Sequence, residues 1–305
     1  MENQKIKPEV YEQIRPLLQL ADDTDEFISK SVASKLSEFG NDIAAFLRQE
    51  ISQTNNRQTA QTLGNAMHLL QKKALDKLKK FLDTHLASST EPGLEQGMIL
   101  LSGFGYPETS ATQISSHLDD LALQTHDLFM EKQDKNDLTH LMCLNTVFFD
   151  RTGYSPPPTQ HYMPDNSYIH AVIRDRIGIP ISLSSLYMMV GMRSGIEIQG
   201  ISMPLHFLVY HPALSALIDV YNRGIFISRQ DCRNFIRKAG LEFHENMLAP
   251  TESFSMILRM IRNLAHAHQR NNDMWEYEQL QNLIDLYIPP PDRPSLHNPE
   301  EDNEL

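Results

Sequence analysis

His206 and Asp219 lie in "HFLVYHPALSALIDVY", where His206 alternates with Leu208 and Tyr210, and Asp219 with Leu217 and Tyr221. Successive side chains of a strand point to opposite faces, so each residue shares a face with apolar neighbours. A hairpin closed around His211–Leu214 puts Tyr210 opposite Ser215 and, counting outward, His206 opposite Asp219. Directly opposed Cβ atoms are about 4.5–5.5 Å apart. At that range a carboxylate holds an imidazole in one tautomer, which prepares it as a general base. The same spacing also suits a structural His–Asp pair on a half-buried sheet. A working base needs a thiol or hydroxyl within reach. The candidates are Ser182 in "GIPISLSSLY", Cys143 among apolar residues, and Cys232 in "RQDCRNF". Arginines flank Cys232, an arrangement that favours the thiolate.

The elements that must position these residues follow from periodicity. Residues 1–90 are expected to be helical. Tyr11, Ile14, Leu17 and Leu18 recur at helical spacing, Asp23 and Glu26 make a capping-box-like start, and Gly40 makes a stop. Helix, acidic turn, helix, glycine, helix resembles a HEAT-type repeat; an ordinary helical bundle fits equally well. Residues 57–86 predict one long helix, and "ASSTEPG" a linker. The lysines of "SKSVASK" and "QKKALDKLKK" are expected to form a solvated face.

Helices resume from 94 to 150, followed by a loop with four prolines in "GYSPPPTQHYMPDNS". The stretch 180–194 is apolar nearly all round, which marks a buried helix. Three strand-like pieces follow: "IEIQGISM", with a bulge expected at Gly200, then "HFLVY" and "ALIDVY". A helical hairpin is expected over 250–288, and a disordered acidic tail over 289–305.

Composition limits the function. A net charge of −12 argues against nucleic acid, which needs a basic face, and against an anionic membrane surface. No run approaches the ~18 apolar residues of a membrane span. Two cysteines outside any CxxC pair, and an N-terminus without an apolar leader segment, predict a cytoplasmic location. The histidines lack tight metal spacing, and His266 and His268, two apart on a helix, point to different faces. No phosphate-binding glycine loop occurs. Neither a metal nor a cofactor is expected.

The segment "DNSYIHAVIRDRIGIPISLSSLYMMVGMRSGIEIQGISMPLHFLVY…LIDVY" resembles the bacterial transglutaminase-like proteins of the invasion-regulator Sir-B type. Asn166, Ser167, Arg174, Arg176, Gly178 to Leu183, Pro204, His206, Phe207 and Asp219 carry the likeness, which spans about residues 94–235. It implies an α+β, mostly helical chain. The core, 94–240, is then transglutaminase-like (papain-like), a small antiparallel sheet on a buried helix, with helical N-terminal and C-terminal segments. The resemblance also implies roles. His206 and Asp219 become the second and third members of a triad whose cysteine position is held by Pro180. Proline suits the first turn of a helix but offers no nucleophile. Leu205 stands where the family has glycine. The expectation is therefore a non-catalytic, regulatory module that binds a protein or peptide. The alternative is an acyl-transfer or amide-hydrolase enzyme that uses His206 and Asp219 with a displaced nucleophile, Ser182 being the nearest hydroxyl in sequence.

Overall fold

The computed structural model describes residues 6–91, 93–158 and 163–288. The expected disordered tail, 289–305, lies outside the described residues. The chain divides into two compact units.

The first unit comprises residues 1–90 and 96–111. It contains α1 (Pro8–Gln19), α2 (Glu26–Glu38), α3 (Ala44–Gln53), the long α4 (Arg57–Ser88) and most of α5 (Leu94–Gly105). Ile14, Val32, Leu36, Leu47, Leu63 and Leu70 form its core. The cap of α2 is Asp25 rather than the expected Asp23: Asp25 Oδ1 accepts from Phe27 N at 2.8 Å, while Asp23 caps Asp25 itself. Gly40 takes the left-handed conformation (φ 74°) beyond the end of α2.

The second unit comprises residues 91–95 and 112–305. Its helices are α6 (Ala111–Met130), α7 (Asp137–Asn145), α8 (Ile169–Asp175), α9 (Pro180–Arg193), α10 (Arg229–Lys238), α11 (Ser253–Arg270) and α12 (Met274–Tyr287). Its strands are β1 (Gln199–Ile201), β2 (Leu208–His211), β3 (Ala216–Asp219) and β4 (Ile225–Ile227), paired antiparallel in chain order. This is the α+β, mostly helical architecture expected. Every residue of α9 from Ile181 to Gly191 is buried, as a helix without a polar face must be.

Two local expectations are corrected. Gly200 pairs regularly with Val209, between Gln199↔Tyr210 and Ile201↔Leu208, so there is no bulge. The glycine is there because a Cβ would come within 2.9 Å of the Phe207 ring and 3.0 Å of the Met256 sulfur. The hairpin register also differs from the expectation. Val209 pairs with Ile218 and His211 with Ala216, so the turn is Pro212–Ser215, two residues' worth of register away from a turn at His211–Leu214. Ser215 closes it in the left-handed conformation (φ 50°), with its N–H donating to Pro212 O at 3.0 Å. The sequence reading also missed β4, whose Ile225 and Phe226 are exposed on an edge strand.

Leu205, immediately before His206, has φ 62°. That conformation costs a non-glycine residue about 1–2 kcal/mol and is worse for a β-branched one. Leu205→Val is expected to lower stability by about 1 kcal/mol, and Leu205→Gly not to lower it. Urea unfolding midpoints check both; equal midpoints for the valine variant and the parent would refute the strain.

Candidate functional site

His206 precedes β2, and Asp219 ends β3. In the observed register Asp219 is opposite Leu208, so His206 and Asp219 are diagonal neighbours on one face rather than a direct pair. A shift of two residues preserves the face, whereas a shift of one would have separated them. The imidazole spans the diagonal: His206 Nε2 lies 2.9 Å from Asp219 Oδ2. Both side chains are largely buried, at 12% and 8% exposure. This bond leaves Nδ1 as the ring atom available to another group, and no hydrogen bond within the described residues reaches it. The Tyr221 ring stands edge-on at 6.0 Å, and the Phe235 ring of α10 lies 5.7 Å away. Leu205 and Phe235 are each about two-fifths exposed, which puts an apolar rim beside the imidazole.

The carboxylate has further donors. Asn222 gives its backbone N–H to Asp219 Oδ1 at 3.1 Å and its side-chain amide to Oδ2 at 2.8 Å. Burial works against ionising Asp219. The hydrogen bond and charge of His206, with the two bonds from Asn222, outweigh it and hold the carboxyl below its usual range. A carboxyl whose folded pKa is depressed adds stability above its unfolded value of about 3.9, and that stability is lost as pH falls through the folded value. Asp219→Asn is thus expected to flatten the acid limb of the stability curve below about pH 4. Urea unfolding across that range tests this; an acid limb as steep as the parent's would contradict it.

The corner carrying His206 is tied from behind by Arg259 of α11. Its guanidinium donates to Ser202 Oγ at 2.7 Å, Met203 O at 2.9 Å and His206 O at 3.0 Å, and lies over the Phe207 ring. Burial, then the charge of Arg262, pushes Arg259 down to about 10. Sequence reasoning missed both Asn222 and Arg259. The Asp-x-x-Asn spacing of a turn was a usable signal for the first. Nothing in the sequence marks an arginine whose acceptors are two carbonyls and a hydroxyl.

The candidate nucleophiles are engaged elsewhere. Pro180 opens α9 at the position expected from the sequence. Ser182 Oγ donates to Asn166 O at 2.6 Å and accepts from Ile179 N at 3.0 Å, capping the helix. Gly178 is required for this, because a Cβ there would sit 2.7 Å from that hydroxyl. Cys143 and Cys232 are both buried, and burial raises both thiols. At Cys232 the charges of Asp231 and Asp219 raise the thiol further and outweigh Arg229, so the flanking arginines do not favour its thiolate. It packs in the core with Leu208, Leu217 and Ile236. Among the described residues no group of three His, Cys, Asp or Glu side chains is arranged to hold a metal ion. No described helix is long and apolar enough to cross a membrane.

A family profile described as the transglutaminase-like superfamily matches residues 112–262, which contain the dyad, its tie and the buried helix. The chain carries a transglutaminase-like domain. Relatives share this region. A UPF0162 protein of Xylella fastidiosa strain Temecula1 is 32% identical over 144 residues, covering 45% of this chain and 51% of the relative. A UPF0162 protein of Vibrio cholerae is 27% identical over 116 residues, covering 38% of this chain and 42% of the relative. F-box only protein 21 of Mus musculus is 26% identical over 158 residues, covering 48% of this chain and 25% of the relative. The chain thus spans about half the length of the Xylella relative. No solved structure matches it.

Proposed function

We propose that the transglutaminase-like domain, of the Sir-B type, is a non-catalytic module that binds a protein or peptide in the groove beside His206. The observation that supports this most is how the reactive groups are used. The Ser182 hydroxyl is spent on a helix cap and both thiols are buried, while the imidazole keeps Nδ1 available beside the exposed Leu205 and Phe235. Such a ring is a polar anchor beside exposed apolar side chains, the mix of groups a recognition site uses. The helical segment of residues 1–90 is, in this reading, a HEAT-like scaffold, and the protein works in the cytoplasm.

The test is affinity capture with wild type and His206→Ala side by side. A partner held by the wild type and lost by at least about tenfold in the variant, equivalent to 1.4 kcal/mol, is the expected result. Turnover of acyl or amide substrates by the purified protein, abolished by His206→Ala, would replace this reading with a second one. That reading is an acyl-transfer or amide-hydrolase enzyme with a displaced nucleophile. The His206 Nε2–Asp219 bond favours it, because it fixes the ring as a general base requires.

A further inference from the structure

Arg259 and Arg262 lie three residues apart on α11, where side chains are neighbours. Neither meets a carboxylate. Arg259 is satisfied by a hydroxyl, two carbonyls and a ring. Arg262 is half-buried and makes no hydrogen bond or ion pair among the described residues. Other partly buried guanidiniums are matched by acids: Arg193 by Asp119 at 2.8 Å and by Glu95, and Arg48 by Glu108. A desolvated cation without a counter-ion is costly. A long arginine stem can bring its tip to water, but that does not explain two like charges one turn apart, which repel. Burial pushes both guanidiniums down from their usual value.

The location gives this charge a use. Arg259 holds His206 O, so Arg262 is one helical turn from the residue that fixes the His206 corner. Leu205 belongs to that corner, and Phe235 lies against the imidazole. We propose that Arg262, backed by Arg259, seats a carboxylate of an acidic peptide whose apolar side chains lie against Leu205 and Phe235. The proposal rests on the peptide-binding reading of the His206 surface and adds the chemistry of the partner. A planar guanidinium takes a carboxylate through two parallel hydrogen bonds, which supplies direction as well as attraction. A net charge of −12 repels an extended polyanion such as nucleic acid, whereas one or two carboxylates sense mainly the local field.

The experiment uses the full chain and two arrays of nonapeptides with the same random flanks, one with Glu and the other with Gln at the centre. The wild type is expected to bind the Glu array at least about tenfold more strongly than the Gln array. Arg262→Gln is expected to bind both arrays alike. Arg262→Lys, which keeps the charge without the planar fork, is expected to retain a reduced Glu preference. Circular dichroism establishes that each variant is folded. No Glu preference in the wild type, or an undiminished one in Arg262→Gln, overturns the proposal. His206→Ala separates the two claims. It is expected to lower binding to both arrays by the same factor. If it leaves both unchanged while the Arg262 effect holds, the His206 groove reading fails and the carboxylate seat stands.

Discussion

Arg259→Met is expected to destabilise the protein by about 2–4 kcal/mol, a large loss for a substitution that conserves side-chain bulk. The guanidinium satisfies Met203 O, His206 O and Ser202 Oγ together. Methionine leaves all three without that donor. An unsatisfied buried polar group costs about 1–3 kcal/mol, and relief from holding a desolvated cation offsets part of the sum. The corner also contains Leu205 in its left-handed conformation, which persists only while the surroundings enforce it. Losing the tie should therefore release the backbone before His206 as well as lower stability. Urea unfolding gives the stability, and the imidazole resonances of His206 report the second effect. A loss under about 1 kcal/mol with unchanged resonances would mean that the three bonds do not hold the corner.

Gly224→Ala is the second large effect, at about 3 kcal/mol or more. Gly224 has φ 71°, and an added Cβ would lie 2.5 Å from Asn145 Oδ1 and 2.8 Å from its amide nitrogen. That amide cannot readily withdraw. Its oxygen accepts from the buried Tyr187 hydroxyl at 2.6 Å, and its nitrogen donates to Gly224 O at 3.4 Å. Gly224 N also donates to Asp219 O at 2.8 Å, closing the turn that presents the carboxylate. The substitution thus strains the backbone and forces apart the contact between α7 and the β3–β4 turn. Asn145→Ala in the same chain removes the clash but not the conformational strain. The double variant should recover part of the loss relative to the sum of the two single losses. Strict additivity in urea unfolding would show that the clash is relieved without cost.

What the sequence disclosed, and what it withheld, follows from the range of each signal. The alternation around His206 and Asp219 has a period of two, so the shared face was readable from one strand at a time. The register was not, because it depends on how the turn closes. Ser215 adopts a positive φ without being glycine or asparagine, which moved the turn to Pro212–Ser215. The buried helix was plain from its uniform apolarity, and Gly178 from the motif that carries the family likeness. The purpose of Gly200 was hidden, because the atoms that exclude a side chain belong to Phe207 and to Met256 on α11, far along the chain. The environment of Cys232 was misjudged for a related reason. Arg229 and Arg233 lie either side of it in sequence, but burial among apolar residues and the adjacent Asp231 dominate.

The two sulfhydryls have a practical consequence. Both Cys143 and Cys232 belong to the second unit, and both are shielded from solvent. An alkylating reagent added to the folded protein must wait for that unit to breathe, so its rate clocks transient openings there and is blind to events confined to residues 1–90. Nature has placed a site-selective stopwatch in one half of the chain, ready for use without engineering.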